Sequence, residues 1–365
     1  MGLIAAADGL LCVGIGRGAV VARRGSDGAW SSTVLESKDA VVCVACSGDG
    51  ALVVTASSDK VLRCYDGGAL AGEAVAPRRP SALALAPLPG GGLACLAACA
   101  GELAAFPAPT LDKQSVLLGH TSSVLTGIAV APSGNFIATC DRNEKVRVSR
   151  FPQCAVVESF CLGHETFVSG CAFLSETELV SSGGDGALRL WDPATGACAA
   201  RVVVGGPATT VSAMAVSGPT VALALEGEAT IVVYADKFDV RRELALDRPP
   251  VDLAFAGGRL VALVRGDDGS AALREFEPRA GGFEAAAAPS PAAAAVAAAD
   301  VAALGPCTAS AFLQAVEERD HDHGFAAKNV TVKPSVLNKH KLDTRFDASN
   351  FSDCAQKLTK GPRLQ

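Results

Sequence analysis

The chain has 365 residues, 49% hydrophobic but only 5% aromatic, so a sizeable core is possible and must be built from Val, Leu, Ala and Ile. A formal net charge of −6 excludes a strongly basic nucleic-acid binder working alone; any RNA contact needs a local patch or a partner. Thirteen cysteines, an odd number set mostly in apolar strand-like runs, read as intracellular core thiols rather than a disulfide framework.

The start, residues 1–24, is apolar but broken by Gly and Asp, with no basic stretch ahead of it, so no secretory leader is expected. Within it, Gly14-Ile15-Gly16-Arg17-Gly18 leads into a strand-like Ala-Val-Val-Ala run and reads as a hairpin turn. Apolar runs separated by turns continue through residues 79–110, 205–244 and 247–278. Together with the 38 glycines and 19 prolines, this spacing predicts an all-β chain. No uninterrupted apolar stretch of about 18 residues suggests a membrane span.

The chain repeats itself at its centre. Gly119-His120 and Gly163-His164 open two similar units, and the histidines are 44 residues apart. That period is the length of one four-stranded propeller blade. The second unit closes on Asp185-Gly186-Ala187-Leu188-Arg189-Leu190-Trp191-Asp192. Asp59 to Asp66 aligns with it without gaps, placing Asp59 on Asp185, Arg63 on Arg189 and Tyr65 on Trp191. Asn143 to Ser149 fits the same frame, with Asn143 in place of the Asp and Ser149 in place of the Trp. The unit is that of a WD-repeat β-propeller, and the segments together count seven blades over residues 1–284. A strand from each terminus is expected to share one blade and close the ring.

His164, Ser181 or Ser182, Asp185 and Trp191 are candidates for a buried polar network within one blade, which stabilises only if every member is satisfied. His120 and Asp59 take the same structural reading, and the unit around Asn143 is expected to have a weaker network or none. None of these residues is read as catalytic. Strand-to-helix glycine loops, phosphate loops, paired-histidine zinc helices and nucleophile elbows are absent. Cys43 with Cys46, and Cys95 with Cys99, lack a second ligand pair, so no metal is expected. No cofactor is expected either.

Residues 285–304 are nearly all Ala with Pro and Ser and read as a flexible insertion. Residues 305–327 are expected to hold a short helix and a final blade or closing strand. Within them Asp320-His321-Asp322-His323 reads as a polar loop. The tail 328–365 is basic, and Lys333, Lys339, Lys341 and Arg345 are candidate RNA contacts.

Two strings are more specific than a generic blade: Asp141-Arg142-Asn143-Glu144-Lys145-Val146-Arg147-Val148-Ser149, and Glu158-Ser159-Phe160-Cys161-Leu162-Gly163-His164-Glu165-Thr166-Phe167-Val168-Ser169. Over residues 117–192 the chain resembles the WD-repeat non-catalytic subunit of the eukaryotic tRNA guanine-N7 methyltransferase. The resemblance implies that this chain does no chemistry and is a nuclear scaffold. A separate Rossmann-type subunit would methylate a guanine in the tRNA variable loop while the propeller holds it active and helps orient the tRNA. It also implies that Glu144 matches the acidic residue pairing with a partner Lys, that Lys145 and Arg147 match neighbouring basic positions, and that Glu165, Thr166 and Phe167 form a second contact loop. From the residues alone, the turn from Asp141 through Arg142 to Lys145 is a dense charged turn suited to registering a partner. Two other readings stay open. One is an adaptor of another complex, either a ubiquitin-ligase substrate receptor or a chromatin scaffold. The other is a propeller enzyme with a pocket at the central channel.

Overall fold

The computed structural model describes residues 2–299 except 8, 121, 122, 207, 208, 267–269, 280, 281 and 298. The expectations placed on 305–327, on the tail 328–365 and on Lys333, Lys339, Lys341 and Arg345 lie outside the described residues.

Seven antiparallel sheets of four strands each form from strands consecutive in the sequence. The blades span residues 4–36, 41–75, 80–119, 125–162, 168–203, 211–245 and 250–285. Inner and outer strands differ as their burial requires. Leu10–Ile15 (LLCVGI) is buried at every position, because neighbouring blades cover both faces of its sheet. The outermost strand of the fifth blade, Cys198–Val203, has no fully buried residue. The first strand of each blade touches that of the next, and Pro250–Ala256 of the last returns to Ile4–Ala7 of the first. These seven strands line an axial cavity of about 410 Å³.

The core is correspondingly divided into seven clusters, one per junction. Between blades 2 and 3, for example, Val54, Leu62 and Cys64 pack against Cys95, Ala97 and Phe106. The strand period of two explains Cys43 and Cys46: three positions apart, they point into different junctions. Burial pushes the Cys43 thiol up to about 12, as suits a core hydrophobe.

Among the described residues closure differs from the expectation: every blade takes its four strands from consecutive sequence, the first from Ile4–Ala7 to Trp30–Glu36 and the last ending at Gly282–Ala285. Two other devices fasten the seam between them. The Asp252 carboxylate, buried in blade 7, accepts the Ile4 N–H at 2.9 Å. A helix, Pro291–Ala297, lies across the first blade.

That helix occupies the tract read as flexible. Its residues Ala292, Ala293 and Val296 are buried with Leu3, Ile4, Leu11, Val20 and Leu263. Ser290 caps it, its hydroxyl accepting the Ala293 N–H at 3.1 Å, and Pro291 fills the first helical position where its fixed φ suits a helix start. The Ser290 hydroxyl in turn donates to the Glu275 carboxylate at 2.6 Å. Over 291–297, part of the tract expected to be flexible, the cap and the apolar stripe at 292, 293 and 296 favour a helix. Val296→Asp should lower unfolding free energy by about 2 kcal/mol, the loss of one buried apolar side chain plus the cost of a carboxylate. Chemical denaturation of the full chain measures it, and unchanged stability would show that the helix does not seal the seam.

Candidate protein-docking surface

On the rim of blade 5 the His164 network is complete. Trp191 Nε1–H donates to Ser181 Oγ at 2.8 Å, the Ser181 hydroxyl donates to His164 Nε2 at 2.7 Å, and His164 Nδ1–H donates to the Asp185 carboxylate at 3.0 Å. Every member is satisfied, and the chain of donors fixes the imidazole tautomer. Ser181 therefore fills the hydroxyl role; Ser182 turns instead towards Ser169 and Met214. Asp185 also accepts the N–H groups of Glu165 and Ala187, at 3.2 Å each. Burial alone would raise its carboxyl, but the His164 hydrogen bond, with those of the Glu165 and Ala187 amides, outweighs it and holds it at about 2.

Blade 4 has a network as well, contrary to the expectation drawn from Asn143. His120 Nδ1–H donates to Asp141 at 2.8 Å, and His120 Nε2 meets the Thr139 hydroxyl at 2.8 Å. The carboxylate has moved two positions earlier in the sequence while keeping its place in space. Asp141 also accepts the N–H groups of Asn143 and Lys145, at 2.8 and 3.1 Å, and so ties down the turn. Burial would raise the Asp141 carboxyl too, yet His120 and these turn amides leave it below its ordinary value. Only 1% exposed, Asp141 cannot be the surface contact expected of it. In blade 2 a serine pair replaces the histidine: Ser37 and Ser57 share a bond of 2.6 Å, and Arg63 donates to Ser37 at 2.9 Å. Asp59 caps its turn by accepting the Val61 N–H at 3.1 Å.

Strand register then sets the two contact segments side by side. Lys145 pairs with Leu162 and Arg147 with Phe160, so the turn 142–145 stands next to the loop 163–167. Asn143, Glu144 and Lys145 are exposed at the tip, with Arg142 half-buried behind them. Glu144 sits at φ 71, where the equivalent position of blade 5 has Gly186 at φ 62. A non-glycine side chain there costs roughly 1–2 kcal/mol, and it projects a carboxylate from the rim. In the second segment Glu165 and Thr166 are exposed, and Glu165 approaches Arg201 at 3.8 Å. The half-buried Phe167 ring lies on Gly184, where an added Cβ would fall 2.5 Å from it; only glycine allows that contact.

Arg147 does not reach the tip. It donates to Ser149 at 2.9 Å and to the Cys154 carbonyl at 2.7 Å, bracing the outer loop instead of meeting a partner at the tip. What sequence reading missed is apolar. Phe160 and Leu162, 47% and 62% exposed, stand on one face of the outermost strand Val157–Leu162, while Ser159 and Cys161 turn inward. Their alternation with buried neighbours was the available signal. Exposed apolar side chains flanked by charge are the anatomy of a protein-binding surface.

Residues 105–240, which hold this whole rim, match the tRNA methyltransferase TRM82 WD40 domain. Residues 30–66 match the WD domain, G-beta repeat. The chain is similar to the tRNA (guanine-N(7)-)-methyltransferase non-catalytic subunit wdr4 of Xenopus laevis, 32% identical over 209 residues and 52% of each chain. It is 43% identical over 96 residues to the corresponding subunit wuho of Anopheles gambiae, 25% of each chain. The resemblance first visible over residues 117–192 is thereby borne out, although the chain spans only about half, or less, of the length of these curated relatives. Among solved structures, a chain of the mitotic checkpoint complex superposes with a TM-score of 0.62 at 18% identity, covering 72% of this chain and 86% of the other. The Cps50 (Swd1) β-propeller domain of Myceliophteria thermophila gives 0.61 at 14%, covering 72% and 92%. At such identity these two establish the propeller fold and nothing about partners.

The low Asp185 carboxyl gives the rim an acid limb. A carboxyl depressed in the folded state contributes stability above its unfolded value, near 4, and loses it as pH falls towards 2. Asp185→Asn should therefore cost about 2 kcal/mol at pH 7, and the gap from the parent protein should close between pH 4 and pH 2. Denaturant titrations at pH 7, 4 and 3 measure it; a pH-independent difference would remove the His164–Asp185 pair as its cause.

Proposed function

We propose that this chain is the non-catalytic subunit of a nuclear tRNA guanine-N7 methyltransferase. It holds a Rossmann-type catalytic subunit on the rim of blades 4 and 5 and helps present the tRNA variable loop. One observation carries the reading: the two strings that resemble the family, separate in sequence, are brought together by the Lys145–Leu162 and Arg147–Phe160 pairing into one exposed patch.

The patch has the makings of a specific interface. Phe160 and Leu162 supply apolar area, and Glu144 and Lys145 at its border supply register and exclude wrongly charged partners. The buried networks beneath it hold the turns in one conformation before binding, so little ordering entropy remains to be lost on docking. The axial cavity is a poorer candidate for function. Its walls are mostly Gly, Ala, Val and Leu, and its one buried carboxylate, Asp252, is engaged with the Ile4 N–H.

Two substitutions at one position separate docking from folding. Glu144→Lys should weaken association with the catalytic subunit by about tenfold or more and lower methylation of tRNA at limiting subunit concentration. Glu144→Gly should also weaken association, yet raise the stability of the propeller by about 1 kcal/mol, because glycine adopts the left-handed conformation freely. Co-elution, methyl transfer and thermal unfolding of both variants provide the readout. Undiminished binding by Glu144→Lys would rule out this carboxylate as a contact.

A further inference from the structure

We infer that Arg189 and Arg201 of blade 5 form a receptor for one acidic side chain of the docked catalytic subunit. This deepens the proposed function and rests on it.

Three blades carry an arginine at the same position of the third strand: Arg63 in blade 2, Arg147 in blade 4 and Arg189 in blade 5. Each stands opposite a hydroxyl residue of the second strand, Thr55, Thr139 and Ser181. In the first two the guanidinium is engaged. Arg63 Nε meets the Glu73 carboxylate at 2.9 Å, and Glu73 is the residue directly across on the outermost strand. Arg147 faces Phe160 across its outermost strand and donates instead to Ser149 and to the Cys154 carbonyl. Arg189 has neither solution. The residue directly across from it is Arg201, so two like charges share one sheet face, a repulsive arrangement.

Arg189 is only 7% exposed, and its Nε is buried with no hydrogen-bond partner among the described residues. Asp185 lies 3.8 Å from it, beyond hydrogen-bond length, and is already occupied by His164 and the amides of Glu165 and Ala187. The Trp191 ring, 5.9 Å away, is its other neighbour. Arg201, half-exposed, approaches only Glu165, also at 3.8 Å. A buried guanidinium without a hydrogen-bonded acid is costly, and a carboxylate brought by a partner removes that cost.

The position is open to such a partner. Gly163 is exposed beside Arg189, and a Cβ there would fall 3.2 Å from Arg189 Nη1 and 3.3 Å from the Trp191 ring; glycine leaves the guanidinium uncovered on that side. Leu162 precedes it, and Val203 stands exposed two positions beyond Arg201 on the same face of its strand. The pair of arginines thus continues the patch of Phe160 and Leu162. A guanidinium takes a carboxylate through two parallel N–H donors, and Glu73 shows one doing so in blade 2. The apolar flanks and the charges of Glu165 and Asp185 favour a single protein carboxylate over a run of phosphates.

The test measures association of the full chain with the catalytic subunit in the absence of tRNA. Arg201→Glu places an acid opposite Arg189, as Glu73 stands opposite Arg63. It should raise the thermal midpoint of the free propeller by roughly 1–3 °C and yet weaken association by about tenfold. Arg201→Gln, which removes the charge without supplying an acid, should leave the propeller folded and weaken association by about threefold. Weaker binding with lower stability in both variants would leave the arginines a structural role only and overturn the receptor. Undiminished association of both variants, with the parent protein binding, would also overturn it while the proposed function stands. So would unchanged association accompanied by a raised KM for tRNA, which would assign the arginines to phosphates. Failure of the parent protein to associate would overturn the proposed function, and this inference with it.

Discussion

Each blade has two apolar faces, and only its two neighbours can cover them. A sheet such as the one containing Leu10–Ile15 is buried on both sides only if the ring closes, so every junction depends on the seam between the last blade and the first. The seam is made without exchanging a strand. The Asp252 carboxylate grips the Ile4 amide, and the capped helix Pro291–Ala297 lays Ala292, Ala293 and Val296 into the cluster shared by the two terminal blades. Small side chains let the helix approach closely, and Glu275 secures its cap.

Closure turns a set of short strands into a rigid rim on which residues far apart in sequence keep fixed positions. Buried polar chains extend that rigidity to the turns. Two neighbouring blades build the same device differently, from the turn residue Asp185 in one and from the strand-end residue Asp141 in the other. The second arrangement frees position 143 from network duty, and the turn there exposes Asn143, Glu144 and Lys145 at its tip. What projects is thus separated from what holds it: Asp141 and Arg147 anchor the segment, and Glu144 and Lys145 stand exposed at the tip.

Under the proposed function, a partner registered on the rim of blades 4 and 5 would be held in one orientation, so the propeller would contribute by geometry.

The sequence alone specified the blade. The 44-residue period, the Gly-His openings and the alternating strands are local consequences of packing a four-stranded sheet between neighbours, so they can be read from one repeat. The His164, Ser181, Asp185 and Trp191 set was legible for the same reason, as all four lie within one unit. Long-range geometry decided the rest. Strand pairing converted the two family-like strings into a single patch and exposed Phe160 and Leu162. Only three dimensions show Asp141 in the place left by Asn143, since a carboxylate can reach the same point from two backbone positions. The Ala-rich tract looked featureless because composition does not say whether a complementary surface awaits it; the open seam of the ring supplies that surface, and Ser290 with Pro291 was the local hint. How the ring closes depends on contacts between residues hundreds of positions apart, such as Ile4 and Asp252, and a repeat pattern carries no information about those.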